Sequence, residues 1–159
     1  MTTPRTVTID ASVLAAIALA ANEAYPNEGC GALLGELVAG GAHVSRTLPI
    51  PNSEAGTPRV RFAVAPRDYL AVEREADRLG ARLLGFWHSH PDHPALPSGT
   101  DRAYAWEGLL TVIVSVRNGE SAEIGAFEIL GAEEPFTALG ILESGSLVPV
   151  TRLSPHALV

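Results

Sequence analysis

Arg82-Leu83-Leu84-Gly85-Phe86-Trp87-His88-Ser89-His90-Pro91 decides how the rest of this chain is read. Leu83, Leu84, Phe86 and Trp87 leave no polar face, which predicts a strand buried on both sides. Side chains at i and i+2 of a strand project to one face, so His88 and His90 present two imidazoles together at its end. Pro91 to Pro97 holds three prolines and excludes regular structure, after which Ser98 opens a short helix expected to reach about Trp106. Ten residues separate His90 from Asp101, and the loop between them can fold that carboxylate back toward the histidines. Neutral imidazole suits zinc, a carboxylate is an acceptable third ligand, and a free fourth position marks a catalytic site.

Each element also has an ordinary reading. A His-x-His pair alone is weak evidence for a metal. Ser98-x-x-Asp101 is equally a capping box, although a capped helix would also fix where Asp101 points.

Working outward, Asp10 to about Tyr25 reads as a helix capped by Asp10, with Val13, Leu14 and Ile17 on a buried face and Pro26 as its stop. Val13 to Ala21 resembles a signal h-region, but only Arg5 precedes it with positive charge and Asp10 abuts it, which favours the helix. Cys30–Val38 and His43–Ile50 read as strands joined by a turn at Gly40-Gly41. A polar loop from Pro51 to Pro58 leads to a short strand, Arg59–Val64. Ala65–Leu79 is a second helix, with Pro66 in its first turn and Gly80 just past its end. Leu109–Val116 and Ala122–Leu130 are strands around an Asn118-Gly119 turn, and the chain through Val150 should add a helix or turn and a last strand. The expectation is a single domain over residues 1–159, α/β in class, with a central mixed sheet flanked by helices.

Composition narrows the function. Of 159 residues, 47% are hydrophobic and 18% charged, enough for a buried core. The formal charge is −7, with no Lys and eleven Arg that form no cluster, which argues against nucleic-acid binding. Cys30 is the single cysteine, so no internal disulfide forms, and a reducing, cytoplasmic location is expected. No apolar stretch approaches the ~20 residues of a membrane helix.

Taken jointly, His88-Ser89-His90-Pro91, six residues, Ser98, two residues and Asp101 resemble the JAMM (MPN+) metalloprotease motif at every defined position. Pro26-Asn27-Glu28-Gly29-Cys30-Gly31 resembles that family's segment with its catalytic glutamate, ahead of the first strand read here. Asn52 and the Phe62–Pro66 stretch are similar to bacterial members. The resemblance implies a cytidine-deaminase-like α/β fold and one zinc (Zn2+) per chain held by His88, His90 and Asp101. It makes Glu28 the general base and acid, and Ser98 a hydrogen-bond donor to the oxyanion. The chemistry is coherent, because zinc can bring the pKa of a bound water to about 7 and a nearby carboxylate can take its proton.

The resemblance further implies cleavage of the peptide or isopeptide bond after the C-terminal Gly-Gly of a small ubiquitin-fold or sulfur-carrier protein, with release of cysteine from the carrier as one form. The alternatives are an isopeptidase removing such a modifier from protein lysines and a non-catalytic MPN scaffold, which would typically lack the ligands. A zinc deaminase needs Pro-Cys-x-x-Cys and a thermolysin-like peptidase needs His-Glu-x-x-His, and both are absent. Only seven residues lie between Asp101 and Leu109, too few for the insertion with which eukaryotic relatives grip a second ubiquitin. The extended tail is expected to pair with a free strand edge, the Arg59–Val64 strand being the candidate. Ser89 is read as loop support, Cys30 as a packed small hydrophobe, and His93 as a loop residue near the groove. His43 and His156 are read as surface residues.

Overall fold

The computed structural model describes residues 5–104, 106, 108–129 and 136–144. The elements run β1 (Thr6–Asp10), α1 (Ala11–Ala24), β2 (Cys30–Val38), β3 (Gly41–Ile50), α2 (Pro66–Leu79), β4 (Arg82–Pro91), α3 (Gly99–Tyr104), β5 (Leu110–Arg117), β6 (Glu120–Glu128) and β7 (Thr137–Ser144). The α/β class holds, and so do most boundaries read from the sequence. The last expected strand appears as β7, while residues 145–150 and His156 lie outside the described residues.

Alternation along β2 and β4, which pair antiparallel, sorts side chains into two cores. Leu33 and Trp87 face one side, with α1 and its buried Val13, Leu14, Ile17 and Ala21. Ala32, Leu34 and Phe86 face the other, with Val72 and Ala76 of α2. Each fully buried aliphatic side chain contributes ~1.5–3 kcal/mol, and truncating Ile17, at 0% exposure, to Ala would cost ~2–5 kcal/mol. The same period places His88 and His90 on the Phe86 face and Ser89 on the Trp87 face.

The expected central sheet instead closes on itself as a barrel of order β1-β3-β2-β4-β5-β6-β7. β1, which the sequence reading left unassigned, causes the closure. Its Thr-Val-Thr-Ile-Asp alternation buries Val7 and Ile9, and it pairs parallel with both β3 and β7. β4 and β5 are also parallel and the remaining pairs antiparallel, so the pairing is mixed as expected. The sheet curls around α1, which packs on β1 through β6. Among the described residues, no helix is long and apolar enough to cross a membrane.

Four local expectations are corrected. Asp10 stands at the N-cap position of α1 but makes no side-chain cap bond. Its Oδ1 accepts from His43 Nε2 at 2.7 Å and from Ser144 Oγ instead, tying β1 to β3 and β7 where the barrel closes. His43 is therefore an ion-pair partner rather than a free surface residue. Arg59–Val64 forms a turn and irregular chain, not a strand. Its backbone is bonded to the side chains of Asn52 and Ser53, so the segment joins no ladder and supplies no edge strand for a substrate. The helix opened by Ser98 ends at Tyr104, short of Trp106.

Candidate metal centre

β4 carries His88 and His90 side by side at its C-terminal end, where parallel pairing with β5 sets His88 opposite Ile113 and His90 opposite Ser115. Their Nε2 atoms lie 3.2 Å apart. On the other side, β2 begins at Cys30, opposite His88, which brings Glu28 against the two rings although sixty residues separate it from them in the chain. One ligand atom each from Glu28, His88 and His90 falls within 4.8 Å of the others. All three residues are buried.

The loop after β4 is pinned at several points. Asp92 takes φ 55°, and its N–H donates to Val116 O while its carboxylate accepts from Asn118 N–H and the Tyr25 hydroxyl. Ser115 Oγ donates to His93 O, and the exposed His93 side chain is not part of the cluster among the described residues. The loop thus returns Asp101, whose Oδ1 lies 3.0 Å from His88 Nε2 and whose Oδ2 lies 3.1 Å from His90 Nε2. The capping box is formed as the sequence suggests. Ser98 N–H donates to Asp101 Oδ2 at 2.8 Å, and Asp101 N–H donates to Ser98 Oγ at 3.1 Å. Ser98 is exposed, and its own hydroxyl proton remains free of that bond.

The donor set fits a divalent zinc-type ion. His90 Nδ1 donates to Pro94 O at 2.8 Å, which makes Nε2 the atom available to an ion; in protein alone Nε2 faces Asp101 Oδ2 at 3.1 Å. Glu28 Oε1 is buried with no hydrogen-bond partner, an arrangement that costs free energy in protein alone. Two converging imidazoles and two carboxylates make sense around a cation. Burial pushes the Glu28 carboxyl up to about 8, opposed by the His90 charge and assisted by that of Asp101. Burial pushes His88 down toward the neutral ligand form. For His90 burial acts downward, but the hydrogen bond and charge of Asp101 outweigh it. Burial alone would raise Asp101, yet hydrogen bonds from both histidines hold it well below the usual carboxylate range.

Neighbouring residues complete the setting. Ser89, at 0% exposure, accepts from Gly29 N–H through Oγ at 2.8 Å and donates its own N–H to Gly29 O, so it does support the Glu28 loop. A Cβ on Gly29 would lie 2.9 Å from that of Ala24, so only glycine fits between Glu28 and Cys30. Cys30 is buried, with its thiol on Ile50 O and pushed up to about 12 by burial, as befits a packing residue rather than a nucleophile. Sequence reasoning did not place Phe62, whose ring stacks on His88 with centroids 4.5 Å apart. Nor did it foresee the hydrogen bonds of Asn52, whose Nδ2 donates to Glu28 O at 3.0 Å. A cavity of about 320 Å³ opens beside His88 and Asp101, lined by Phe62, Val64, Phe86, Trp106, Leu109 and Phe136 among others.

Known proteins resemble both the sequence and the fold. A desampylase of Haloferax volcanii is 35% identical over 91 residues, 57% of this chain and 63% of its own. A probable TtuB-protein conjugate cleaving protease of Thermus thermophilus is 38% identical over 76 residues, 48% of this chain and 47% of its own. The matches thus span about half to two thirds of those curated relatives. The solution structure of a Desulfitobacterium hafniense protein superposes with TM-score 0.78 at 27% identity, covering 89% of this chain and 95% of that one. That of a Salinibacter ruber protein gives TM-score 0.68 at 32% identity, covering 91% and 95%. Residues 10–129 match the family described as prokaryotic homologs of the JAB domain, and the chain, with the two motifs that mark JAMM proteins, belongs to that family.

Proposed function

We propose that this chain is a zinc-dependent hydrolase that cleaves the bond after the C-terminal Gly-Gly of a small ubiquitin-fold or sulfur-carrier protein. One observation carries the reading: Asp101 spans His88 and His90 at 3.0 and 3.1 Å, while buried Glu28 gathers with the same two histidines and keeps Oε1 unpartnered. His88, His90 and Asp101 would hold the ion, and zinc there would supply Lewis-acid polarisation of the scissile carbonyl and a more acidic water. Glu28 Oε1 would take the proton of the attacking water and return it to the leaving nitrogen. A cation beside it would pull the raised Glu28 carboxyl back toward ionisation, readying it as a base. The Ser98 hydroxyl would donate to the developing oxyanion. The cavity beside His88 would seat an apolar side chain of the carrier's tail, and its walls would exclude water.

The relatives' names favour conjugates over free peptides. One is a desampylase and the other a probable conjugate-cleaving protease, which supports a second form in which the leaving group is a protein lysine rather than a single amino acid. The deciding experiment incubates zinc-loaded protein with carrier–cysteine and carrier–lysine adducts and follows them by mass spectrometry, with Glu28→Gln as the blank. Cleavage immediately after Gly-Gly is expected. Rapid digestion of casein with both adducts intact would overturn the substrate assignment.

A further inference from the structure

We propose that Asn52 is a positioning residue that couples the wall of the substrate cavity to Glu28. The proposal rests on the role given to Glu28 above. Asn52 is half-buried, and its amide makes four hydrogen bonds. Oδ1 accepts from the N–H groups of Glu54 and Ala63, each at 3.0 Å, and Nδ2 donates to Glu28 O at 3.0 Å and Arg61 O at 2.9 Å. Two donors face one end of the amide and two carbonyls the other, so the partners themselves fix its orientation.

The distribution of those bonds is what matters. Two reach Arg61 and Ala63, which with Phe62 and Val64 form one wall of the cavity, and Phe62 lies flat on His88. One reaches Glu28, whose N–H is held in turn by Pro58 O at 2.7 Å in the same irregular stretch. The wall that substrate would touch and the backbone that carries the base therefore meet in a single side chain. Because residues 59–64 join no ladder, their placement relative to Glu28 is not set by strand pairing, and this amide joins the two directly. Misplacing a catalytic group by ~1 Å can cost ~10² in rate.

The test measures Asn52→Asp and Asn52→Ser, each alone and combined with Glu28→Gln. Aspartate keeps the acceptor but turns a carboxylate oxygen toward two carbonyls, whereas serine is too short to reach both sides. At least one of the two should fold, retain zinc, leave KM within about threefold and lower kcat by ~10- to 100-fold. In the Glu28→Gln background the same change should have almost no further effect on kcat, since the group being positioned is already gone. An equal fold-loss in that background, unchanged kcat in the folded variant, or zinc loss in both would overturn the coupling. Glu28→Gln turning over like the wild type would instead defeat the reading of Glu28 itself, so the two failures are distinguishable.

Discussion

Replacing Glu28 by Gln should make the metal-free protein more stable and the enzyme nearly inactive. Glu28 is 4% exposed, Oε1 has no partner, and burial lifts its carboxyl from 4.5 to about 8. A carboxyl raised on folding is protonated in the fold while the unfolded chain ionises, so its contribution falls as pH rises from about 4.5 and levels off near 8. At pH 7 the cost is ~3 kcal/mol, taking ~1.4 kcal/mol for each pH unit above the ordinary glutamate value. Glutamine of the same shape carries no such cost. At ~2–4 °C per kcal/mol for a chain of this size, metal-free Glu28→Gln should melt ~6–12 °C above wild type at pH 7. The difference should shrink to ~1 kcal/mol at pH 5. Calorimetry of chelator-treated protein at pH 5, 7 and 8.5 measures the stability, and adduct cleavage by the zinc-loaded protein measures the rate, which should fall ~10²–10⁴-fold. Equal melting temperatures at pH 7, or a gap that widens toward pH 5, would refute the burial argument. Retained turnover would refute the base.

Other expectations follow from the same geometry. Purified wild type should carry close to one zinc per chain by elemental analysis, and His88→Ala, His90→Ala or Asp101→Ala should each deplete it; full occupancy in the double histidine variant would remove the site. Ser98→Ala loses the Oγ that accepts from Asp101 N–H, costing ~1 kcal/mol, and as an oxyanion donor it should lose ~10²–10³ in kcat; proportionate losses of zinc and stability would leave the cap as its main role. The hydrogen bond from His43 to Asp10, then the Asp10 charge, raises the His43 pKa against burial, and Glu36 adds to it. That contribution is fully present below about 6.5 and lost as pH rises through the folded value, so His43→Gln should cost ~0.2–1 kcal/mol at pH 6 and less at pH 9 in chemical denaturation.

Local pattern was sufficient wherever spacing alone decides geometry. A two-residue strand period put His88 and His90 on one face, and a three-residue capping interval turned Asp101 toward Ser98. Pro66 and Gly80 marked the ends of α2 because each has a backbone preference independent of its neighbours, Gly80 taking φ 66°. Tertiary structure decided what no local rule contains. Five residues of β1 closed the barrel because their backbone groups found partners on both β3 and β7, more than thirty residues away on either count. The same closure gave Asp10 to His43 and Ser144 instead of to its own helix. Residues 59–64 have strand-like composition but bond to Asn52 and Ser53, so hydrogen-bond supply, not propensity, made them a cavity wall. Taken alone Glu28 reads as an ordinary loop glutamate, and only the family resemblance of Pro26 to Gly31 marks it in the sequence as a base. Pairing of β2 with β4 carries it across sixty residues of chain to the histidines, and only that long-range contact makes its carboxyl buried and raised.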